Sequence, residues 1–316
     1  MEESAPRAIT GSPEHKPSAH NERVAEAIGR FDGIRVRYER QDAAISALDL
    51  IRRTGLHNPG QPKRGAYLVA PFGAGKTVML ELLRDFVDES SGPMPGQCPV
   101  LLVEIDTAGT TDSVPTAILA SLGEPKATAG REGVRWIRAT EALRRHGVQL
   151  LVFDEFNRAA RRHTVAGSIA TAIRQHVMDA GVCPVAFVGS EDARTALKMA
   201  PGLRQRLGAP IKMDPIDWAD EEVDRAIYLE FLDALDAAIV DADILPNISG
   251  LARRSTAEKL WLASRGSIRE LCSIIREALV EAVGRGSDRI ERVDLEYATD
   301  GYAIENRFIS VNPFAA

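Results

Sequence analysis

The stretch from Ala70 to Thr77 reads APFGAGKT, and its residue types and spacing suit a loop that binds phosphate groups. In such a loop, successive backbone N–H groups turn inward around the phosphates at the start of a helix, whose dipole also attracts anions. Gly73 and Gly75 supply the backbone freedom that this turn needs. Position 70 holds alanine where the pattern has its first glycine, and we expect the methyl group to be tolerated if the backbone keeps a negative φ.

Lys76 and Thr77 carry the side-chain chemistry of this loop. The Lys76 ammonium is placed to reach the outer phosphates of ATP, and the Thr77 hydroxyl is placed to ligate Mg2+. The residues expected to surround the nucleotide are Gly73, Ala74, Gly75, Lys76, Thr77 and Val78. A chance GKT at the start of a helix is the alternative, but an apolar strand before the loop and an amphipathic helix after it are the context that the motif requires.

A second motif, LLVFDEF, places Asp154 and Glu155 directly after four apolar residues. A strand of this kind should emerge at the carboxyl edge of the sheet, beside the phosphate loop. Asp154 suits a magnesium contact, direct or through water, and Glu155 suits a base that deprotonates a water attacking the γ-phosphate. A merely solvated strand end is the alternative, which the phosphate loop upstream disfavours.

Four further residues are candidates for contacts with the phosphates. Ser190, which follows FVG, is able to position water or sense the γ-phosphate, and a helix N-cap is an equally good interpretation. Arg204 or Arg206, in GLRQRLG, can reach the nucleotide of a neighbouring subunit and stabilise charge in the transition state, unless both are solvated surface arginines. Arg269, in GSIREL, can fold over the phosphates from the first turn of a helix or be a partly buried structural arginine.

The segment from Phe156 to Met178 contains Arg158, Arg161, Arg162 and Arg174, two histidines and no acidic residue. In a protein with a net charge of −6, such a positive surface can line a DNA channel through phosphate contacts, which fix position without reading sequence. A solvated helix face or a subunit contact explains the same pattern, and the sequence does not decide between them.

The elements that would position these residues alternate along the chain. Short apolar strands such as AYLVA, VLLVEI, LLVF and VAFVG are separated by helical stretches, which predicts an α/β fold with a parallel sheet covered by helices on both sides. After a possible last strand in PIKMD, the pattern becomes wholly helical. The predicted divisions are a flexible tail at 1–21, a nucleotide-binding α/β domain at 22–214, a small all-helical lid domain at 215–300 and a C-terminal tail at 301–316.

Composition excludes several classes of protein. A chain of 316 residues with 45% hydrophobic and 27% charged residues is typical of a soluble globular protein, and its apolar runs are far shorter than the roughly 20 residues that span a bilayer. The polar N-terminus lacks the apolar stretch of a signal peptide, so we expect a cytoplasmic protein without membrane contact. Three separated cysteines indicate neither a disulfide framework nor a zinc site.

Taken together, these motifs resemble those of the AAA+ ATPases and, within them, the transposition regulators of the TniB and TnsC type, related in role to MuB. GAGKT matches the end of Walker A, LLVFDEF matches Walker B, and GSIREL matches sensor 2. The stretches RYERQDAAISALDLI, VGSEDARTAL with LRQRLG, and NPF near the C-terminus look like TniB-type sequences. Two departures are Ala70 at the first Walker A glycine and Ser190, where Asn or Thr is the usual sensor 1 residue.

This resemblance implies an AAA+ P-loop fold with a helical lid and an ATP-dependent switch. Such a switch assembles into rings or filaments of identical subunits on double-stranded DNA, where it recruits and activates a transposase and helps partner proteins to select the target. The resemblance also implies that Ser190 acts as sensor 1, that Arg269 acts as sensor 2, and that Arg204 or Arg206 is the finger acting in a neighbouring subunit.

Two other functions stay open on the sequence alone. The acidic total charge suggests a signalling ATPase of the AAA+ or STAND type, whose oligomer grips a protein instead of DNA. A P-loop kinase acting on a small molecule is the other alternative, although a helical lid bearing Arg269 and the Asp154–Glu155 pair argue against it.

Overall fold

The computed structural model describes residues 19–92, 95–105, 110–160, 163–198, 200–220 and 222–315. Within these residues the strands are β1 (Gly65–Val69), β2 (Val100–Glu104), β3 (Leu150–Asp154), β4 (Val185–Gly189) and β5 (Ile211–Lys212). They form one parallel sheet in the order β2-β3-β4-β1-β5. A parallel sheet joined by helical crossovers confirms the predicted α/β fold.

Helices connect the strands and continue after them. Up to β5 they are α1 (Ala19–Asp32), α2 (Glu39–Leu56), α3 (Lys76–Ser91), α4 (Ser113–Ser121), α5 (Glu132–Arg145), α6 (Asn157–Ala160), α7 (His163–Ile173), a π-helical segment (Arg174–Asp179), α8 (Glu191–Lys198) and α9 (Pro201–Arg204). After β5 they are α10 (Asp224–Asp241), α11 (Arg254–Ser264), α12 (Ile268–Arg285), α13 (Arg292–Ala298) and a second π-helical segment (Thr299–Ile304). None of the helices in the described part of the chain is long and apolar enough to cross a membrane.

Both faces of the sheet are buried, because successive side chains of a strand point to opposite sides. In β3, Leu150 and Val152 belong to an apolar cluster with α2, α3 and the helices that follow the sheet, whereas Leu151 and Phe153 belong to a cluster with α4, α5 and α7. This two-sided burial explains why the strands read as continuous apolar runs. It also brings the polar carboxyl ends of the strands to one edge, where Glu104 of β2 lies opposite the last residue of β3.

The helices after β5 form the all-helical region that the sequence predicted. Its first helix begins only at Asp224, after the predicted start of the lid domain at residue 215. The reason is local turn chemistry: carboxylate oxygens of Asp217 and Asp220 accept the backbone N–H groups of Ala219 at 2.9 Å and Val223 at 3.1 Å. Such side-chain bonds compete with helical ones and postpone the helix.

Helix α1, at the start of the described chain, packs on α12 of this helical region. Ala27, Ile28 and Phe31 of α1 are buried, and Asp32 forms an ion pair with Arg276 of α12 at 3.0 Å. The domain boundaries predicted from the sequence placed this helix with the α/β part of the chain. Of the predicted tail at 1–21, residues 1–18 lie outside the described residues, and residues 19–21 are the first three of α1.

The segment after Asp300, predicted as a tail, also packs on the helical region. Phe314 is buried, and its carbonyl oxygen accepts hydrogen bonds from Arg292 at 2.7 and 3.0 Å. Asn312 donates to the backbone carbonyl of Glu296 at 2.9 Å. Residues near the end of the predicted tail are therefore packed and hydrogen-bonded against α13 of the helical region.

Candidate nucleotide-binding site

The connection between β1 and α3 has the backbone geometry of a phosphate-binding loop. Gly73 and Gly75 have φ angles of +82° and +76°, in the left-handed region that residues with a Cβ disfavour. Space is also tight at Gly73, where a Cβ would lie 2.6 Å from Oγ of Ser267 and 3.3 Å from Cβ of Arg269. Both positions therefore need glycine for their backbone conformation, and Gly73 needs it for space as well.

Ala70 stands where the loop leaves β1, and its backbone meets the condition under which alanine was expected to be tolerated, a φ that is not positive. Its side chain is buried, and its N–H donates to the Gly189 carbonyl at 3.0 Å. The Lys76 ammonium donates to the carbonyl oxygens of Ala70 at 3.2 Å and Pro71 at 3.0 Å. The loop therefore accommodates alanine here without strain.

Lys76 is the first residue of α3 and is 7% exposed. Burial lowers the pKa of its ammonium, and the carboxylates of Glu155 and Asp154 act in the opposite direction. Its hydrogen-bond acceptors here are neutral backbone carbonyls. A phosphate oxygen would be a stronger partner, because hydrogen bonds between two ionised groups are about twice as strong as neutral ones.

Asp154 and Glu155 lie at the carboxyl end of β3, as predicted. Asp154 is 6% exposed, and burial raises the pKa of its carboxyl, against the effect of the hydrogen bond that the Glu155 N–H donates to its Oδ1 at 2.7 Å. Glu155 has a φ of +51°, which is uncommon for a residue with a side chain. A buried carboxylate of this kind is stabilised in its charged form by a nearby cation.

These groups share one cavity of about 610 Å³. Its wall includes the predicted site residues Gly73, Gly75, Lys76, Thr77, Val78, Asp154, Glu155 and Arg269. Ala74 is buried beside it in the same loop. Away from the loop the wall carries an apolar group, Phe31, Ile34, Val36, Phe231 and Leu235, beside the charged residues Asp32, Arg35 and Arg276. A polar end next to an apolar end suits a ligand that carries phosphates at one end and a flat base at the other.

Arg269 reaches the phosphate loop from the helical region. Its backbone N–H donates to the carbonyl of Gly73 at 3.1 Å. Its guanidinium lies over the ring of Phe72, 4.7 Å from the ring centre, and Phe72 is 73% exposed. This geometry is that of a cation–π contact. The helical region therefore touches the loop directly through this residue.

The other three residues predicted to contact phosphates are Ser190, Arg204 and Arg206. None of them is among the described residues that line this cavity. Ser190 follows β4 and donates its N–H to Oδ1 of Asn157 at 3.3 Å. Arg206 forms an ion pair with Asp179 at 2.9 Å. Arg204 ends α9 and is exposed.

The arginines between residues 156 and 178 do not make one free basic strip in the described part of the chain. Arg158 lines the nucleotide cavity and pairs with Glu104 at 3.1 Å. Arg174 pairs with Asp179 at 3.0 Å. The other two, Arg161 and Arg162, lie outside the described residues. The acidic partners of the two described arginines, Glu104 and Asp179, come from outside the segment.

Three residues around the loop were missed by the sequence analysis. Tyr38 and Gln41 donate side-chain hydrogen bonds to two loop carbonyls, at 3.0 and 3.3 Å. Asn157 donates from Nδ2 to Oε2 of Glu155 at 3.0 Å. No local pattern connects the first two with a loop so far along the chain. Asn157 could have been noticed in the sequence, because it is a polar residue just after the acidic pair at the strand end and so lies close to the predicted site.

A family model described as "Bacterial TniB protein" matches residues 34–214, which is more than half of the chain. The chain belongs to the TniB family. The matched part of this TniB-family chain extends from just before α2 to just after β5, so it contains the phosphate loop and the acidic strand end.

Similar proteins outside the family share its fold. The chain is 25% identical over 297 residues to the chaperone protein ClpB of Corynebacterium efficiens, in an alignment that covers 88% of this chain and 33% of ClpB. It spans about a third of the length of the curated relatives it matches. The ORC2 protein of Aeropyrum pernix, solved in ADPNP–ADP complexes, superposes with a TM-score of 0.64 at 14% identity, over 86% of this chain and 71% of that one. The ORC1 protein of Aeropyrum pernix, solved in complex with DNA, superposes with a TM-score of 0.55 at 18% identity, over 85% of this chain and 66% of that one.

Family and fold agree with the loop geometry. The chain has the AAA+ P-loop fold, with a parallel sheet flanked by helices and a helical C-terminal region, as the sequence predicted. The roles of the individual site residues stay predictions.

Proposed function

We propose that this TniB-family ATPase is an ATP-dependent regulator of transposition. It assembles as a homo-oligomeric ring or filament on double-stranded DNA, and in that state recruits and activates a transposase, together with partner proteins that select the target. The observation that carries the proposal is the single cavity into which Lys76, Asp154 and Glu155 project beside Arg269 of the helical region. A nucleotide there would join the sheet and the helical region into one ligand-dependent unit.

Mg2+ fits the polar end of this cavity. The described residues contain no group of three or more His, Cys, Asp or Glu side chains that could hold a metal by themselves. Magnesium does not need one, because it is usually bound through one or two protein oxygens together with phosphate oxygens and waters. The Thr77 hydroxyl and the buried Asp154 carboxylate supply such oxygens, and the ion would offset negative charge on the phosphates.

Hydrolysis then follows from the placement of two side chains. Lys76 holds the outer phosphates of ATP by a charge-assisted hydrogen bond. Glu155 accepts a proton from a water molecule whose oxygen bonds to the γ-phosphorus, while the bond from that phosphorus to the bridging oxygen of ADP breaks. The products are ADP and phosphate, and the loss of the γ-phosphate removes contacts that hold the assembled state.

The decisive experiment measures assembly of the purified protein with a slowly hydrolysed ATP analogue, with and without duplex DNA, at low and moderate salt. We expect rings or filaments in sedimentation and negative-stain microscopy only when both nucleotide and DNA are present. DNA binding should weaken steeply with salt, because basic side chains that contact phosphates release counterions. The matched control is the Lys76→Ala protein, which should not assemble.

Two other outcomes would redirect the proposal. DNA binding that is indifferent to both nucleotide and salt would overturn it. Oligomers that form with nucleotide alone and ignore DNA would preserve the ATPase and favour a switch that acts on a protein partner. The acidic net charge of the chain and the ion pairing of Arg158 and Arg174 are the observations that favour this second function.

Arg204, rather than Arg206, is the finger that we propose for the neighbouring subunit. Arg206 is held by Asp179, which also pairs with Arg174, whereas Arg204 is exposed. We expect Arg204→Ala to lower ATP turnover of the assembled protein by at least about 1,000-fold, the usual worth of such an arginine. Arg206→Ala, the matched comparison, should lose far less.

A mixing experiment tests whether this arginine acts between subunits. The Arg204→Ala and Glu155→Gln proteins each bind ATP but are expected to be nearly inactive alone. When they are mixed, an intact Arg204 from one protein can complete a site with an intact Glu155 in the other, so turnover should partly return. An equal loss in the two arginine variants, or no recovery on mixing, would contradict the assignment of Arg204.

A further inference from the structure

Asn157 joins the ends of two neighbouring strands. Its Nδ2 donates to Oε2 of Glu155, just after β3, at 3.0 Å, and its Oδ1 accepts the N–H of Ser190, just after β4, at 3.3 Å. Both ends of the amide are therefore in use. The orientation of the amide is fixed by these partners, because a flipped amide would set its NH2 group against the Ser190 N–H and its oxygen against a carboxylate.

The surroundings leave room for this side chain and no more. A Cβ at Gly189 would lie 2.7 Å from Oδ1 of Asn157 and 2.8 Å from Cβ of Ala193. Gly189 does not have a positive φ, so the demand for glycine here is steric. The preceding residue, Phe156, is fully buried and donates its N–H to the carbonyl of Val188 at 2.9 Å. The turn that carries Asn157 is thus anchored to β4 by backbone and side chain.

The contact to Asn157 determines the direction of the Glu155 carboxylate. A carboxylate has about four acceptor positions on its two oxygens, and Asn157 takes one on Oε2. No other side-chain hydrogen bond to this carboxylate comes from the described residues, which leaves its second oxygen to accept one from water. Asn157 is also uncharged, so it orients the carboxylate without forming an ion pair that would compete with Lys76.

We infer that Asn157 is a positioning residue for ATP hydrolysis, which holds Glu155 toward the attacking water with the Ser190 backbone as its anchor. This inference rests on the proposed function, in which Glu155 is the base. It assigns Asn157 no contact with ATP. Its removal should therefore affect turnover and leave nucleotide affinity unchanged.

The first test is Asn157→Ala. We expect its single-turnover rate of ATP hydrolysis to fall by about 10- to 100-fold, because small misplacements of a catalytic group can cost that much. The dissociation constant for ATP should stay within about twofold of the parent, as expected for a group that acts only in the transition state. Thermal unfolding of both proteins shows whether the variant is folded at the assay temperature.

A double-mutant cycle separates positioning from general damage to the site. In the Glu155→Gln background there is no base to position, so Asn157→Ala should cause little further loss. A merely structural role would reduce the rate by the same factor in both backgrounds, since independent effects multiply. That equal reduction would overturn the inference.

Gly189→Ala perturbs Asn157 from the opposite side and keeps the test available if Asn157→Ala does not fold. Its methyl group should displace the amide and reproduce the slow, normally binding behaviour, and combination with Asn157→Ala should add little. Gly208→Ala is the matched control, because a Cβ there meets nothing within 4 Å. Normal turnover in both Asn157→Ala and Gly189→Ala, with slow turnover in Glu155→Gln, would overturn the inference about Asn157. It would leave the proposed role of Glu155 intact. Normal turnover in Glu155→Gln would overturn the proposed role of Glu155 itself.

Discussion

Replacement of Lys76 by alanine is expected to abolish ATP binding at physiological concentrations. The ammonium is buried, its pKa is lowered by that burial, and its neutral acceptors leave it free to exchange them for phosphate oxygens. Loss of a buried, charge-assisted contact costs about 2–5 kcal/mol, so the dissociation constant should rise at least about 30-fold. Isothermal titration with ATP or its slowly hydrolysed analogue measures this directly.

Lys63 provides the control for this substitution. It is also buried, and its ammonium also donates to two backbone carbonyls, those of Gly55 and Asn58. It does not line the nucleotide cavity. Lys63→Ala should therefore keep the ATP affinity of the parent. Equal affinity in Lys76→Ala and the parent protein would refute the assigned site.

Glu155→Gln is expected to separate binding from hydrolysis. Glutamine keeps the size of the side chain and an oxygen that can accept the hydrogen bond from Asn157, but it cannot take a proton from water. We expect ATP to bind with nearly parental affinity while turnover falls by about 100- to 10,000-fold, the usual contribution of a general base. Assemblies formed with ATP should consequently persist.

The measurement is ATP turnover alongside the lifetime of assemblies in sedimentation. Glu191→Gln is a suitable control, because Glu191 also follows a strand end at this edge of the sheet but pairs with Arg194 outside the cavity wall. Parental turnover in Glu155→Gln would exclude this carboxylate as the base. Weak ATP binding in that variant would mean that its main role is in holding the nucleotide.

The parts of the fold that could be predicted are those determined by local pattern. Strands such as β4 are apolar on both faces because helices cover both sides of the sheet, and this burial is visible as an unbroken apolar run. The phosphate loop could be predicted because Gly73 and Gly75 are required by local backbone conformation. Alanine at position 70 could be judged from the sequence because only the sign of φ was at issue.

Long-range packing accounts for what the sequence could not show. The apolar stripe of α1 predicts a buried face but does not say that α12 covers it. Arg174 and Arg206 read as free cations until the fold brings both to Asp179. The contacts of Tyr38 and Gln41 with the phosphate loop join segments that are far apart in the chain.

The packing of α1 on α12 has a mechanical consequence. In the described part of the chain, two connections join the helical region to the sheet, residues 33–38 and residues 213–223 without 221, and α1 belongs to the side of the helices. Arg40, at the start of α2 and just after the first connection, donates to the Asp214 and Pro215 carbonyls of the second connection and to the Asp224 carboxylate at the start of α10. Ile34 and Val36 of the first connection line the nucleotide cavity. Any rotation of the helices relative to the sheet must therefore change the shape of the cavity wall. A base bound between Ile34, Val36 and the helices would resist that rotation.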